Sequence, residues 1–392
     1  MNETTQSIFI TCSLGFEEAL GAELSRLAPD SPVKLEKGGV SVDSTLENLY
    51  RILQRSQIAS RSLVQLKSFA AHNPPMLYSQ TRRLDWEKHI GPHRTFAVDC
   101  VLSKSSDHKW QDPNAPRSTL NNSLGTALKI KDAICDRIRT ECNDVRPDVD
   151  RESPDVRVHA YVKDGKCSLS LDASGFSLHE RGYRVAQGEA PLKENLAAAC
   201  LEYTGWTPDQ VLYDPFCGSG TFLIEAALKA TKALHHLPNR RYGVKHWPDF
   251  NPVIWDRVAR EVKAIKLEEK PKLKLFGSDQ SRQMTTLTSR NAERARVLEY
   301  LTITTQDFFN SKPPTETPGI IIMNPPYGER MEANADFFKR IGDHLKHYYK
   351  GWNVWMLLGS KESLKQIGLR TAKRIPIFNG PIECRLVKFE LY

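Results

Sequence analysis

The feature that most constrains the fold is a series of seven apolar segments after residue 190, most of them separated by helix-like stretches. Apolar strands that alternate with helices are typical of a doubly wound α/β domain with a mainly parallel sheet. The last two segments are joined by NGPI, which is too short for a parallel crossover and therefore predicts an antiparallel hairpin. The predicted strands are QVLYD, LKLFGSD, LTITTQD, GIIIMN, NVWMLLGS, AKRIPIF and ECRLVKFEL.

Two smaller α+β units are predicted ahead of this domain, which we place at 190–392. The first, over 1–65, shows two strand-to-helix patterns, SIFITCSLGFEEALGAELSRL and GGVSVDSTLENLYRILQRS. The second, over 66–175, contains the extended segments TFAVDCVLS, VRVHAYVKD and KCSLSLDAS, and the turn KDGK predicts a hairpin between the last two. The glycines and the proline of HERGYRVAQGEAP predict a linker to the third domain.

Charge and cysteine content limit the class of protein. Lys and Arg number 55 against 47 Asp and Glu, and the formal charge of +8 permits a polyanionic partner but also fits an ordinary basic surface. No apolar run approaches the ~18 residues of a membrane span, and the N-terminus lacks the features of a signal peptide. None of the eight cysteines has CxxC spacing. We therefore expect a cytoplasmic protein with reduced cysteines, no membrane partner and no metal.

The helix SLGTALKIKDAICDRIRTEC in the second unit carries four cations at polar positions, Lys129, Lys131, Arg137 and Arg139. A solvated helix face is the commoner interpretation of such a pattern. A folded helix can also present these charges together to phosphate groups. The sequence leaves both interpretations open.

Four of the predicted strands in the third domain end in polar residues: Asp214, Asp279, Asp307 and Asn324. In an open α/β sheet, ligands bind outside the carboxyl ends of the strands, near the point where the strand order reverses. Packing alone does not require four separate strands to bring polar side chains to one edge. The sequence therefore predicts a ligand site there.

The first of these strands leads into DPFCGSGTFLIEAA, where Gly218 and Gly220 allow close approach of a ligand to the backbone. A nicotinamide fingerprint needs a third glycine and an acidic residue about 20 positions later, whereas Asp279 lies 65 positions beyond Asp214. S-adenosyl-L-methionine fits better, with Asp279 accepting from the ribose hydroxyls and Asp307 from the adenine amine. The predicted cofactor-binding residues are Asp214, Pro215, Phe216, Gly218, Gly220, Thr221, Asp279, Asp307, Phe308 and Asn324.

The segment GIIIMNPPYGER predicts the catalytic residues Asn324, Pro325, Pro326 and Tyr327. The side-chain carbonyl of Asn324 and the backbone carbonyl of Pro325 are two acceptors for an exocyclic amine, and the prolines fix the backbone that holds them. Tyr327 can stack on the base. Two fixed acceptors stabilise the positive charge that develops when a delocalised amine acts as a nucleophile.

The chain resembles the THUMP-containing, Rossmann-like class I methyltransferases that modify the N2 amine of guanine in RNA, particularly the bacterial 23S rRNA enzymes whose larger relatives carry a second methyltransferase domain. The residues that carry this resemblance are DPFCGSGTFLIEAA, GSD, NPPYGER, TCSLGFEEALGAEL, LKIKDAICDRIR, RPDVD, LDASGFSLHERGYR, APLKENLAAA and FNGPIECRL. The resemblance implies a ferredoxin-like domain over 1–65, a THUMP RNA-binding domain over 66–175 and a methyltransferase domain over 190–392. It also implies that PLKEN lies beside the cofactor and that Arg330 pairs with RNA phosphate.

The sequence thus favours an S-adenosyl-L-methionine-dependent RNA guanine-N2 methyltransferase, with 23S rRNA as the expected substrate. A tRNA guanosine methyltransferase is the second interpretation, since the same motifs serve both RNAs. A non-catalytic RNA-binding assembly factor that keeps the fold is the third, although intact Asp214, Asn324 and Tyr327 argue against it. A DNA amine methyltransferase would share NPPY, but the THUMP-like region favours structured RNA.

Overall fold

The computed structural model of the chain contains two seven-stranded sheets, each flanked by helices. It describes residues 5–103, 118–185, 192–237, 241–264, 271–326, 336–359, 361–380 and 382–391. Within these ranges no helix is long and apolar enough to cross a membrane. The same residues contain no group of three or more His, Cys, Asp and Glu side chains placed to hold a metal ion.

The first sheet is formed by β1 Gln6–Thr11, β2 Val33–Glu36, β3 Gly39–Ser44, β4 Arg61–Ala70, β5 Phe96–Ser103, β6 Val156–Lys163 and β7 Lys166–Asp172. Its order is β2-β3-β1-β4-β7-β6-β5, and every neighbouring pair is antiparallel except β5 with β6. The predicted β6–β7 hairpin is therefore present. The helices of this half are α1 Glu17–Leu27, α2 Leu46–Arg55, α3 Pro74–Arg82, α4 Trp86–His89 and α5 Ser123–Glu141.

The two front units share one sheet, which the sequence did not predict. The expected boundary at residues 65 and 66 falls inside β4, which pairs with β1 of the first unit and with β7 of the second. A register shift between Gln65 and Lys67 marks the junction. A bulge of this kind bends a strand without ending it. One strand therefore joins the two units rigidly.

The second sheet is formed by β8 Val211–Asp214, β9 Lys274–Asp279, β10 Leu301–Thr305, β11 Ile320–Met323, β12 Asn353–Leu358, β13 Thr371–Asn379 and β14 Ile382–Glu390. Its order is β10-β9-β8-β11-β12-β14-β13; β10 to β12 run parallel, while β14 is antiparallel to both of its neighbours. All seven strands coincide with predicted segments, and the C-terminal hairpin is confirmed. The helices are α6 Glu194–Thr204, α7 Thr221–Thr231, α8 Pro252–Ala264, α9 Arg282–Arg294, α10 Phe337–Tyr348 and α11 Lys361–Gln366.

The described part of the segment expected to be a linker, residues 179–185, contributes two buried side chains to the core. The side chains of Arg181 and Tyr183 are fully buried. Arg181 donates to the backbone carbonyls of Leu178 and Gln57 and lies 3.4 Å from the carboxylate of Glu225 on α7. A guanidinium with five donors can be buried only where acceptors surround it, and here they come from both halves of the chain. Residues 179–185 are therefore packed against both halves of the chain, whereas residues 186–191 of the predicted linker lie outside the described residues.

The long insertion between β8 and β9 also joins the two halves. Its helix α8 packs on α2, where Arg51 forms an ion pair of 2.9 Å with Glu261. Gln54 donates to the backbone carbonyl of Trp255 over 3.2 Å. In a further contact between the halves, the N–H of Phe378 in β13 donates to the carbonyl of Leu14. The front sheet is thus fixed relative to the second sheet.

Candidate active site

The four polar residues at the strand ends lie along one edge of the second sheet. Asp214 and Asp279 are the last residues of β8 and β9, Asn324 directly follows β11, and Asp307 follows β10 by two residues. Because these four strands are parallel, their carboxyl ends share an edge. The strand order reverses between β8 and β11, which is where open α/β sheets bind ligands. The structure therefore brings the predicted residues together.

Asp279 connects the second strand to the glycine turn after the first. Its Oδ2 accepts from the N–H of Gly218 over 3.1 Å, and its Oδ1 accepts from the N–H of Ser281 over 2.9 Å. A carboxylate offers about four acceptor positions, so roughly two are left for a ligand. This arrangement fits the predicted contact with a pair of ribose hydroxyls.

Asp214 is 2% exposed, and its Oδ1 accepts from the N–H of Phe216 over 3.1 Å. Burial raises the pKa of the Asp214 carboxyl well above its ordinary value, and this N–H opposes the rise while the Asp279 carboxylate adds to it. A cation placed at this edge would favour the ionised form of Asp214. The site therefore suits a ligand that carries positive charge.

The glycine turn requires glycine at both predicted positions. Gly218 and Gly220 have φ values of +52° and +81°, in the left-handed region that side chains disfavour. A Cβ atom at Gly220 would lie 2.5 Å from Cγ2 of Thr288 on α9. The hydroxyl of Thr288 donates to the carbonyl of Gly218 over 2.7 Å, and Nδ2 of Asn291 donates to the carbonyl of Ser219 over 3.0 Å. Helix α9 thus holds the turn closely from one side.

A second support for the turn was missed by the sequence interpretation. Arg184 donates to Ser219 Oγ over 3.2 Å and to Thr221 Oγ1 over 3.3 Å, and its Nε donates to Glu194 over 2.8 Å. Glu194 is 4% exposed, and its carboxylate is paired with Arg184. Pro191, at the start of the PLKEN segment, lies outside the described residues. The HERGYR stretch was the only sequence signal for this contact.

An aromatic cluster lies beside Asp307. The ring centroid of Phe308 is 5.3 Å from that of Phe216, and Phe216 in turn lies 6.1 Å from Phe337. Phe308 is 2% exposed and belongs to the core, whereas Phe216 is only partly buried. Oδ1 of Asp307 accepts from the N–H of Phe309 over 3.0 Å. Of the two predicted aromatic residues, Phe216 is therefore the one with accessible surface.

Asn324 has an unpaired acceptor. Its Oδ1 is buried and has no hydrogen-bond partner among the described residues. Pro325 is buried and Pro326 is exposed. A buried carbonyl without a donor is unfavourable, and such atoms are found where a ligand completes them. The other two residues predicted from this motif, Tyr327 and Arg330, lie outside the described residues.

The basic face of α5 is largely neutralised. Lys131 lies 2.5 Å from Asp132, Arg137 lies 3.0 Å from Glu87, and Arg139 lies 2.6 Å from Asp144. Lys129 is placed over the ring of Tyr78, 4.9 Å from its centroid. Exposed ion pairs of this kind release little free energy when they form. Phosphates could still exchange for these partners, but the face is not a free cationic surface.

Comparison with known proteins gives matches along nearly the whole chain. A family model described as RMKL-like, methyltransferase domain, matches residues 181–388; a THUMP domain matches 71–172, and an RlmL ferredoxin-like domain matches 7–63. A candidate RNA methyltransferase from Synechocystis is 37% identical, with 99% of this chain and 98% of that one covered.

Two further comparisons concern length and fold. The ribosomal RNA large subunit methyltransferase K/L of Shewanella sediminis is 37% identical over 98% of this chain, which spans 52% of that protein. A solved candidate methyltransferase complexed with S-adenosylhomocysteine superposes with a TM-score of 0.86 at 24% identity, covering 100% of this chain and 99% of that one. The prediction of S-adenosyl-L-methionine as the cofactor is confirmed at the level of family and fold. The chain belongs to the family of RMKL-like methyltransferases.

Proposed function

We propose that this methyltransferase modifies the exocyclic N2 amine of a guanosine in RNA, and that 23S rRNA is its substrate. The observation that carries the chemistry is Oδ1 of Asn324 at the switch in strand order, which is buried and has no hydrogen-bond partner within the described part of the chain. The choice of RNA is supported by the THUMP domain over 71–172 and by the names of the relatives, which act on ribosomal RNA of the large subunit.

Asn324 supplies the chemical selectivity in this proposal. Its side-chain carbonyl accepts from an N–H of the substrate amine, and the carbonyl of Pro325 accepts from the other. An amine conjugated to a base ring is a poor nucleophile because its lone pair is delocalised. Acceptors held in place before the reaction stabilise the positive charge that develops on this nitrogen, and they need no reorganisation when it appears. Tyr327 is proposed to stack on the base, with Pro326 fixing its place in the chain.

The other strand ends hold the methyl donor. When bound, S-adenosyl-L-methionine supplies an electrophilic methyl group on a positively charged sulfur. Asp279 has acceptor positions left for ribose hydroxyls, and Asp307 is proposed to accept from the adenine amine. A bound cation favours the ionised form of Asp214, which then gives the edge negative charge, and Gly218 and Gly220 keep side chains out of the turn. Pro215, Phe216, Thr221 and Phe308 complete the proposed cofactor set.

The front half is proposed to bind the RNA. A base inside an RNA helix must be extruded to reach the strand ends, at a cost of about a few kcal/mol. Lys129 and Lys131 on α5, together with Arg330, are proposed phosphate contacts. Since the front sheet is fixed on the second sheet, binding energy gained there can act on the target nucleotide. A cytoplasmic location belongs to the same proposal.

The experiment is methyl transfer from labelled S-adenosyl-L-methionine to 23S rRNA and to bulk tRNA, both isolated from cells that lack the enzyme. Digestion to nucleosides identifies the product. Labelled N2-methylguanosine in 23S rRNA alone is the expected result. Label in tRNA would show that tRNA, and not 23S rRNA, is the substrate. Labelled N6-methyladenosine would overturn the choice of guanine as the base. Cofactor binding without any transfer to free RNA or to ribosomal particles would favour a non-catalytic assembly factor.

A further inference from the structure

A basic groove lies between α11 and the β13–β14 hairpin at the edge of the second sheet. It encloses about 600 Å³, and the charged side chains that line it are Lys365, Arg370, Arg374 and Arg385. No carboxylate is found among the described residues that line it. Four cations without a lining anion make a site for a ligand with several negative charges. None of these residues was singled out in the sequence.

Three of the four cations are available for a ligand. Lys365, Arg370 and Arg374 are exposed and form no ion pair with the described part of the chain. Arg374 is held in place by hydrogen bonds of 3.0 and 2.8 Å from its guanidinium to Oγ1 of Thr371. Arg385 is paired with Glu383 over 3.1 Å. The groove thus differs from the face of α5, where neighbouring carboxylates hold three of the four cations.

The position of the groove suits an extended polyanion that also reaches the strand ends. Arg385 pairs in register with Leu358, the last residue of β12, so it lies at the carboxyl edge of the sheet. Arg374 pairs with Val387, two residues further along the same face of β14. Through Val387 and Met356, Arg374 is in register with Met323 at the end of β11, and at ~4.8 Å per strand the three places between β11 and β13 separate these two positions by about 14 Å. Charges of one duplex DNA strand are about 3.4 Å apart along the helix axis, so a separation of this size corresponds to a few nucleotides at most.

We propose that this groove binds the phosphodiester backbone of the substrate RNA, a few nucleotides from the modified base. The inference rests on the proposed function for the identity of the RNA. It assigns an RNA contact to the catalytic half itself, in addition to the THUMP domain. A contact this close to the active site fixes the register of the target nucleotide, which distant contacts alone do not fix.

The test removes three charges from the groove of the full chain, as Lys365→Gln, Arg370→Gln and Arg374→Gln together. Binding of a 23S rRNA transcript is measured as a function of salt. Each lost phosphate contact lowers the slope of log affinity against log salt by about 0.7 to 0.9, so the slope should become less steep by about 2 to 3. Between about 50 and 200 mM salt, the wild-type protein should lose about 20- to 40-fold more affinity than this variant.

The matched control removes three exposed cations from the amino-end edge of the same sheet, as Lys272→Gln, Lys274→Gln and Lys350→Gln. It carries the same net charge, and its salt slope should stay at the wild-type value. A second variant, Arg370→Lys with Arg374→Lys, keeps the groove charge and should keep most of the slope. Thermal unfolding and S-adenosylhomocysteine affinity should be unchanged in all three, because no altered residue touches the cofactor edge.

Equal slopes for the groove variant and the control would overturn the inference, as would a wild-type protein that binds no RNA. Failure of the proposed function is a separate result. A wild-type chain that binds 23S rRNA through the groove but transfers no methyl group would refute the activity and keep the surface. If the groove substitutions weaken binding of an acidic protein but leave RNA binding unchanged, the groove does not bind RNA and the inference is refuted.

Discussion

Replacement of Asn324 by alanine tests the catalytic proposal most directly, because the structure predicts opposite effects on stability and on rate. Oδ1 of this residue is buried without a hydrogen-bond partner in the described structure. A buried unsatisfied acceptor costs about 1–3 kcal/mol, so its removal should not lower the free energy of unfolding and should raise it by about 1 kcal/mol. Most substitutions of buried residues do the reverse.

The expected effect on rate is large. An acceptor that stabilises charge only in the transition state contributes about 10²- to 10³-fold to kcat, or about 2.7–4 kcal/mol. Asn324→Ala should therefore lower kcat by about that factor and leave cofactor affinity within about threefold of wild type. Asn324→Asp keeps an acceptor of nearly the same shape and should retain more of the rate than alanine does.

The assay is single-turnover methyl transfer at saturating cofactor, combined with calorimetric titration of S-adenosylhomocysteine and urea unfolding. The matched control is Asn353→Ala, since Asn353 begins β12 at the opposite edge of the same sheet and is also partly buried. This control should keep the wild-type kcat. A folded Asn324→Ala protein with kcat within about twofold of wild type would refute the role of Asn324. A clear loss of stability would show that Oδ1 has a structural partner.

Three further predictions concern the supports of the site. Arg181→Met should lower the free energy of unfolding by about 3–5 kcal/mol in urea titrations, because it leaves the fully buried Glu225 without its cation; a loss below about 1 kcal/mol would mean that the pair is dispensable. The pKa of Asp214 is raised in the folded state, so the stability it contributes is present below its unfolded pKa of about 3.9 and is lost as pH rises through the folded value. Asp214→Asn should therefore stabilise the cofactor-free protein at pH 8 but not near pH 4, and should weaken cofactor binding; equal stability differences at both pH values would contradict this. Gly220→Ala should lower the free energy of unfolding more than Gly205→Ala does. Both glycines have positive φ, but only a Cβ at Gly220 would lie 2.5 Å from a threonine methyl carbon. Equal losses of unfolding free energy would mean that the turn has room for a side chain.

Much of the candidate site could be predicted because its residues follow strands with strong local signals. Apolar runs such as GIIIM specify a buried strand, and the polar residue that ends the run is then placed at a known edge of the sheet. The glycines at 218 and 220 were also local signals, since a turn with positive φ needs them whatever surrounds it. For these features, a few neighbouring residues are enough to predict the local structure.

The missed features depend on contacts between distant parts of the chain. Arg184 was interpreted as linker because nothing in its local sequence shows that Ser219 and Thr221 supply acceptors 35 and 37 residues away. For helix α5 the sequence left open whether its cations form a solvated face or contact phosphates, because Glu87, which neutralises Arg137, lies 50 residues before it. Cations and acceptors are satisfied in space, so a charge count along one helix does not reveal which charges remain free.

The sequence by itself determined the strands, the order of the domains and the four strand ends that meet at the site, because hydrophobic period and turn residues act over a few positions. Only the tertiary structure decided which side chains are available at the surface. It joined the two front units through β4, buried Arg181 against Glu225 and left Oδ1 of Asn324 without a donor among the described residues. It also brought the groove cations together from a helix, the loop that follows it and two strands. Pairing, burial and electrostatic potential are sums over neighbours in space, and the fold alone fixes those neighbours.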